Sequence, residues 1–147
     1  MKRIRPETTG DHPSVREVHR QAFGREKEGR LVDSLRDGGF SRLSLVAEQD
    51  GLVVGHILFS EVAIVIDHGS VPALALAPLA VVPERQRRGL GSMLVRKGLR
   101  LCGDSGHRIV IVLGIPSKPR NAPRQALPHV VPRRRIVQDE SKPAVVA

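Results

Sequence analysis

Three arginines, a glutamine and two glycines crowd one short stretch, Arg85-Gln86-Arg87-Arg88-Gly89-Leu90-Gly91-Ser92. Guanidinium groups suit phosphate oxygens because they stay charged and present a planar fork of donors. Glycine permits a positive φ or the close approach of another group. A loop of this kind that turns straight into a helix can wrap the helix's first, unpaired N–H groups around a phosphate. The spacing lacks the Gly-x-x-x-x-Gly-Lys of a nucleotide P-loop and has too few glycines for a dinucleotide fingerprint. The chemistry it suits is a compact pyrophosphate cradle. The competing reading is a solvated basic turn.

The neighbouring elements must decide between the two. Before the loop, "PALALAPLAVV" predicts a strand over about 73–82, and Pro78 inside it cannot donate to a ladder. That strand is therefore expected to be imperfectly paired on at least one side, which leaves backbone groups free. After the loop, Leu90, Met93, Leu94, Leu101 and Cys102 fall on one face of a helix over about 90–103. Gly98 would let that helix approach the sheet closely. A further strand is expected over 108–115.

Upstream, Lys2–Arg5 reads as an opening strand. A helix follows with Asp11 as N-cap and Pro13 in its first turn, ended by Gly24. A second helix is expected over 26–36 with Leu31, Val32 and Leu35 on one face, stopped by Gly38-Gly39. Strands over 43–48 and 52–66 flank an Asp50-Gly51 turn, a strong hairpin signal. The order is β-α-α-β-β-β-α-β, an α/β fold with a mixed sheet flanked by helices.

Past Ile115 the pattern stops. The last 32 residues hold six of the eleven prolines, and seven Lys/Arg against two Asp/Glu, so they carry +5 of the net charge of +9. We divide the chain into a domain at 1–115 and a Pro/Arg-rich irregular tail at 116–147. A basic tail that binds RNA or an acidic partner and an out-of-frame reading of a GC-rich gene both fit this change in composition.

Composition narrows the classes further. Phe23, Phe40 and Phe59 are the only aromatic residues besides histidine, and there is no tyrosine or tryptophan. Such a chain offers few platforms for stacking on single-stranded nucleic acid, so nucleic acid is expected to bind only through the tail. No apolar run approaches the roughly 20 residues that span a bilayer, and no secretory h-region follows the N-terminus, so we expect a cytoplasmic protein with no membrane partner. Cys102 is the lone cysteine, and the histidines show no ligand spacing, so no metal is assigned.

Gln86-x-x-Gly89-x-Gly91 after "LAPLAVVPE" resembles the acetyl-CoA-binding motif of the GNAT superfamily of N-acetyltransferases, whose pattern is Gln/Arg-x-x-Gly-x-Gly/Ala. The likeness is greatest to a bacterial branch of small acetyltransferases and covers about 2–115. It implies acetyl-CoA as cosubstrate and acetyl transfer to a primary amine on a small molecule or protein. It further implies that backbone groups of Leu79, Ala80 and Val81 pair with the pantetheine arm. Gln86 belongs to the motif, and the amides of Arg87, Arg88, Gly89, Leu90, Gly91 and Ser92 would hold the pyrophosphate. Among residues that could take the amine proton, Glu61 ranks above Glu48, His68 and His107, because the third strand lies near the acceptor in this family. His12, His19 and His129 are expected to be solvated.

The resemblance also marks departures. The family commonly protonates the leaving thiolate with a tyrosine on a later helix, and this chain has no tyrosine. A CoA-binding protein without catalysis is therefore the alternative reading, and a basic nucleic-acid-binding protein a more distant one. A fifth strand lacking its usual neighbours would be exposed, which invites pairing into a homodimer.

Overall fold

In the computed structural model, which describes residues 1–112 and 144–146, the chain forms β1 (Lys2–Pro6), α1 (His12–Phe23), α2 (Lys27–Asp37), β2 (Ser41–Gln49), β3 (Leu52–Ile66), β4 (Gly69–Val81), α3 (Leu90–Asp104), β5 (Ile109–Val112) and β6 (Ala144–Val146). Short 3-10 turns lie at Thr9–Asp11 and Pro83–Arg85. This is the expected order with one strand added. The boundary at 115/116, most of the basic tail and His129 lie outside the described residues. No helix among the described residues is long and apolar enough to cross a membrane.

The strands form one sheet in the order β1-β2-β3-β4-β5-β6. β1 through β4 pair antiparallel, and β4–β5 and β5–β6 pair parallel. Asp50 and Gly51 both take positive φ, 54° and 79°. This is the backbone that matches a two-residue hairpin to the twist of β2 and β3.

Alternation along the strands sorts the core into two faces. Val46 and Leu58 pack with Val15 of α1 and Val32 of α2. Leu45, Ala47, Ile57 and Phe59 belong to the larger cluster with Leu90, Leu94 and Cys102 of α3. The Cys102 thiol is buried in that cluster, and burial raises its pKa to about 11. It is a core thiol, as the helical spacing implied.

Several expectations change. Asp11 does not cap α1. Its carboxylate accepts from Arg5 at 2.7 and 2.9 Å and from the Thr8 amide at 2.8 Å, which closes the 3-10 turn ahead of the helix. The competing guanidinium is the physical reason. Leu31 is exposed, while Val32 is buried. The outer edge of β5 is not bare: Ile109–Ile111 pair with Ala144–Val146, so three residues of the tail occupy the edge from which self-association was expected.

Candidate functional site

Pro78 does what its chemistry requires. Ile57 pairs with Leu79 and Phe59 with Leu76, so Ala77 and Pro78 together oppose Leu58 and form a bulge in β4. Among the described residues, β5 pairs with β4 at Leu74–Leu76. Beyond the bulge, Leu79, Ala80 and Val81 are laddered to β3 on one side, and among the described residues no strand pairs with their other edge. An extended ligand could pair along that edge as an added strand does.

The loop that follows is tightly held. The Gln86 side-chain amide donates to the Val81 carbonyl at 2.8 Å and ties the loop to the end of β4. Lys2 Nζ donates to the Arg88 carbonyl at 3.2 Å from the opposite side. Arg87 has φ 64° and Gly89 φ 82°. Left-handed residues spaced this way turn successive N–H groups to the same side. An arginine in that region is uncommon, and such conformations concentrate where the backbone serves a ligand.

α3 starts directly from left-handed Gly89, and no side chain caps it. The first amides of the helix therefore have neither an intrahelical acceptor nor a capping oxygen, and they carry the positive end of the helix dipole. A Cβ placed on Gly91 would come no closer than 4.0 Å, to Val81 Cγ2. No protein neighbour forbids a side chain there, but an anion lying on the backbone would. A cleft of about 230 Å³ opens between Leu79 and Val81 on one side and Arg85, Gln86, Arg87, Leu90 and Gly91 on the other. Of the sequence-derived residues, Leu79, Val81, Gln86, Arg87, Leu90 and Gly91 line this cleft, and Ala80, Arg88, Gly89 and Ser92 adjoin them in the chain without lining it. The donor set is all amide and guanidinium, which suits a diphosphate.

Glu61 is elsewhere. It is exposed, ion-paired with Arg42 and opposite Leu74, five positions along β3 from His56, the partner of Ala80. At about 3.3 Å per residue that is roughly 17 Å. Glu48 is bound to Arg5 at 2.8 Å. His68 sits in the β3–β4 turn, and His107 lies beside Cys102 before β5. None of these lines the cleft.

Sequence reasoning missed a buried polar chain on the α1 side of the sheet. His19, expected to be solvated, is fully buried, as is His56. His19 Nε2 and His56 Nδ1 are 2.8 Å apart. His56 Nε2 is 2.7 Å from Ser44 Oγ and 3.4 Å from a Glu7 carboxylate oxygen, and the Ser44 hydroxyl donates to that same carboxylate. Arg36 pairs with the other Glu7 oxygen, and His12 stands 3.6 Å from it. The signal was a histidine inside the continuous apolar run "LVVGHILF", where every position from Val54 to Ser60 is buried. His56 pairs across the ladder with Ala80, so the chain runs immediately behind the free segment of β4.

Burial, reinforced by the charge of a protonated His56, pulls His19 from 6.5 down to about 3. Burial also lowers His56 against the opposing pull of Glu7. Both rings are neutral in the folded protein near pH 7. The unfolded chain therefore binds protons that the folded chain refuses. Stability should fall as pH drops from about 6.5 toward 3, by about 1.4 kcal/mol per pH unit for His19 alone. Urea midpoints at pH 7, 6 and 5 check this. A midpoint that stays flat across that interval contradicts it.

Residues 3–121 match the family model for the acetyltransferase (GNAT) domain. The uncharacterized N-acetyltransferase YjhQ of Escherichia coli K12 is 42% identical over 106 residues, 71% of this chain and 59% of its own length. The uncharacterized N-acetyltransferase YhbS of the same strain is 36% identical over 115 residues, 78% of this chain and 68% of its own. Among solved structures, a GNAT family acetyltransferase from Brucella melitensis in complex with acetyl-CoA superposes with a TM-score of 0.71 at 39% identity, covering 78% of this chain and 76% of that one. YhbS in complex with CoA gives 0.71 at 35%, covering 77% and 62%. The chain thus spans about three-fifths of the length of YjhQ.

Proposed function

The chain belongs to the GNAT acetyltransferase family, and on that premise we propose that it binds acetyl-CoA and transfers the acetyl group to a primary amine. The observation that carries this reading is the N-terminus of α3, which no side chain caps, opening beside the edge of Leu79–Val81 that no strand pairs among the described residues. The amides of Arg87, Arg88, Gly89, Leu90, Gly91 and Ser92 would hold the diphosphate, with Arg85 and Arg87 adding charge at the cleft. Leu79, Ala80 and Val81 would align the pantetheine arm by backbone hydrogen bonds. When bound, acetyl-CoA supplies an activated thioester carbonyl for attack by the amine. A β4 amide near Ala80 or Val81 would donate to the oxygen on which negative charge develops. The two neighbours crystallised with acetyl-CoA and CoA support this assignment.

Calorimetry with acetyl-CoA, followed by thiol release across a panel of amines, tests the proposal. We expect binding heat, and amine-dependent thiol release with at least one acceptor. Absence of heat removes the proposal. Heat without thiol release from any amine would instead establish a CoA-binding protein that does not catalyse transfer.

A further inference from the structure

Cations are neutralised unevenly across the molecule. Every arginine from Arg16 to Arg36, on α1, α2 and the turn between them, is ion-paired with a carboxylate. On α3 the pattern reverses. Arg96 and Arg100 are exposed, and neither they nor Lys97 pairs with a carboxylate among the described residues. The one acidic residue of that helix is Asp104, at its last position. The last 32 residues of the chain bring seven Lys/Arg and only Asp139 and Glu140, so they too are short of carboxylates.

These three cations line a groove of about 520 Å³ between α3 and β1, together with the apolar side chains of Ile4, Met93 and Leu99. β1 is the edge strand of the sheet. Lys97 Nζ donates one of its three protons to the Ile4 carbonyl at 3.0 Å, which fixes the ammonium in the groove wall and occupies a backbone acceptor of the edge strand. A lysine so placed opposes the addition of another strand. The groove therefore suits a helix laid along it rather than an extended chain. Arg96 and Arg100 are about one turn apart, roughly 6 Å along the axis, which matches carboxylates at i and i+4 of a facing helix. Apolar lining and basic rim together select an amphipathic, acidic ligand. Single-stranded RNA is a poorer fit, because no aromatic ring lines the groove to stack a base. A bilayer is also a poorer fit. Ile4 is buried and Met93 and Leu99 are half-buried, so the apolar lining is recessed and does not protrude to insert.

We propose that the groove between α3 and β1 docks an acidic amphipathic helix of a partner protein. The apolar side chains of that helix rest on Ile4, Met93 and Leu99, and its carboxylates face Arg96, Lys97 and Arg100. The surface is separate from the proposed cofactor cradle. Roughly 10 Å of helix lies between Gly89 and Arg96, and none of Gln86 to Ser92 lines the groove. The inference does not depend on acetyl transfer. Apolar burial supplies most of the affinity, while the basic rim sets the encounter rate and rejects partners of the wrong charge. The net charge of +9 steers an acidic partner toward the molecule as a whole, and the unpaired rim gives it a place to settle.

Fluorescence anisotropy on the full chain tests this with a labelled, helix-forming probe peptide of Glu, Ala and Leu, its leucines at i, i+3 and i+7. We expect saturable binding that weakens as salt rises. Arg96→Glu/Arg100→Glu puts like charges opposite the probe and should weaken binding about 10-fold or more. Lys27→Glu/Arg108→Glu makes the same change in net charge at two exposed positions outside the groove and should stay within about twofold of wild type. A probe with serine in place of each leucine should also lose about 10-fold or more. Arg96→Gln/Arg100→Gln, which removes charge without reversing it, should fall between wild type and the reversed variant, and circular dichroism checks that each variant is folded. Equal losses in the two charge-reversed variants would mean that net charge alone draws the probe. Displacement of the probe by acetyl-CoA would place it in the cradle. Tighter binding of an RNA oligomer of equal charge, lost in Arg96→Glu/Arg100→Glu, would make the groove a nucleic-acid site. Each of these results overturns the proposal, as does a probe that does not bind.

Discussion

Gly89→Glu should lower acetyl-CoA affinity at least 100-fold while leaving a folded protein. Gly89 has φ 82° and sits at the N-cap of α3. A side chain there must adopt the left-handed region, at a cost of about 1–2 kcal/mol. No atom lies within 4 Å of the added Cβ, so there is no clash to disrupt packing. A carboxylate at a helix N-terminus is also favourable to the helix itself, by about 0.3–1 kcal/mol. Melting should therefore shift by only a few degrees. Binding is affected in the opposite way, because the new carboxylate occupies the positive end of the dipole and faces the diphosphate. Two unit charges about 4 Å apart at an effective dielectric constant near 20 repel by about 4 kcal/mol. Even half of that, added to the displaced amides, exceeds the roughly 2.8 kcal/mol that a 100-fold loss requires. Gly89→Ala carries the backbone strain without the charge and should lose much less. Calorimetry on the three proteins separates the contributions. Equal affinity for wild type and Gly89→Glu would mean that the diphosphate lies elsewhere.

The backbone geometry of the proposed cradle was legible because it is local. Gln86, Gly89 and Gly91 lie within six residues, and the backbone geometry they allow hardly depends on distant contacts. Pro78 was informative for the same reason: a missing N–H is a property of the residue itself, and the bulge in β4 lies where that property requires it. The Asp50-Gly51 turn and the helical spacing of α3 belong with them. What escaped was set by register. His19 and His56 are 37 positions apart, and nothing in either neighbourhood says that the two rings will meet. The placement of Glu61 depends on β3 running through Ile66, which carries it past the end of the β2 ladder and away from Ala80. Asp11 had the right residue type for a cap, but Arg5 reached its carboxylate from β1. β6 is three residues long and pairs in parallel with a strand far upstream, so neither its length nor its pattern distinguishes it from the rest of the tail.

The largest effect on stability is expected from adding a single methyl group. A Cβ on Gly98 would overlap the ring of Phe59 at Cε2 and Cζ, far inside any real carbon–carbon contact. Helix propensity alone predicts that Gly98→Ala stabilises α3 by about 1 kcal/mol. Packing predicts the reverse. Phe59 is fully buried at the centre of the sheet, opposite Leu76 and among Leu45, Ile57 and Leu94, so its ring has nowhere to retreat. Overpacking of this kind costs about 1–3 kcal/mol, and more where the backbone of a helix must lift off a sheet. The steric term should win, and Gly98→Ala should melt several degrees below wild type. The consequence reaches the proposed function, since the N-terminus of α3 would form the cradle, and a helix displaced at Gly98 tilts the amides of Leu90 to Ser92. Phe59→Leu shortens the offending ring. The double variant should therefore be more stable than the sum of the single losses, by about 1 kcal/mol or more of coupling. Additive losses, or a Gly98→Ala protein that melts above wild type, would mean that the contact between α3 and β3 is loose enough to absorb the methyl group. The core would then not be what sets the position of the cradle.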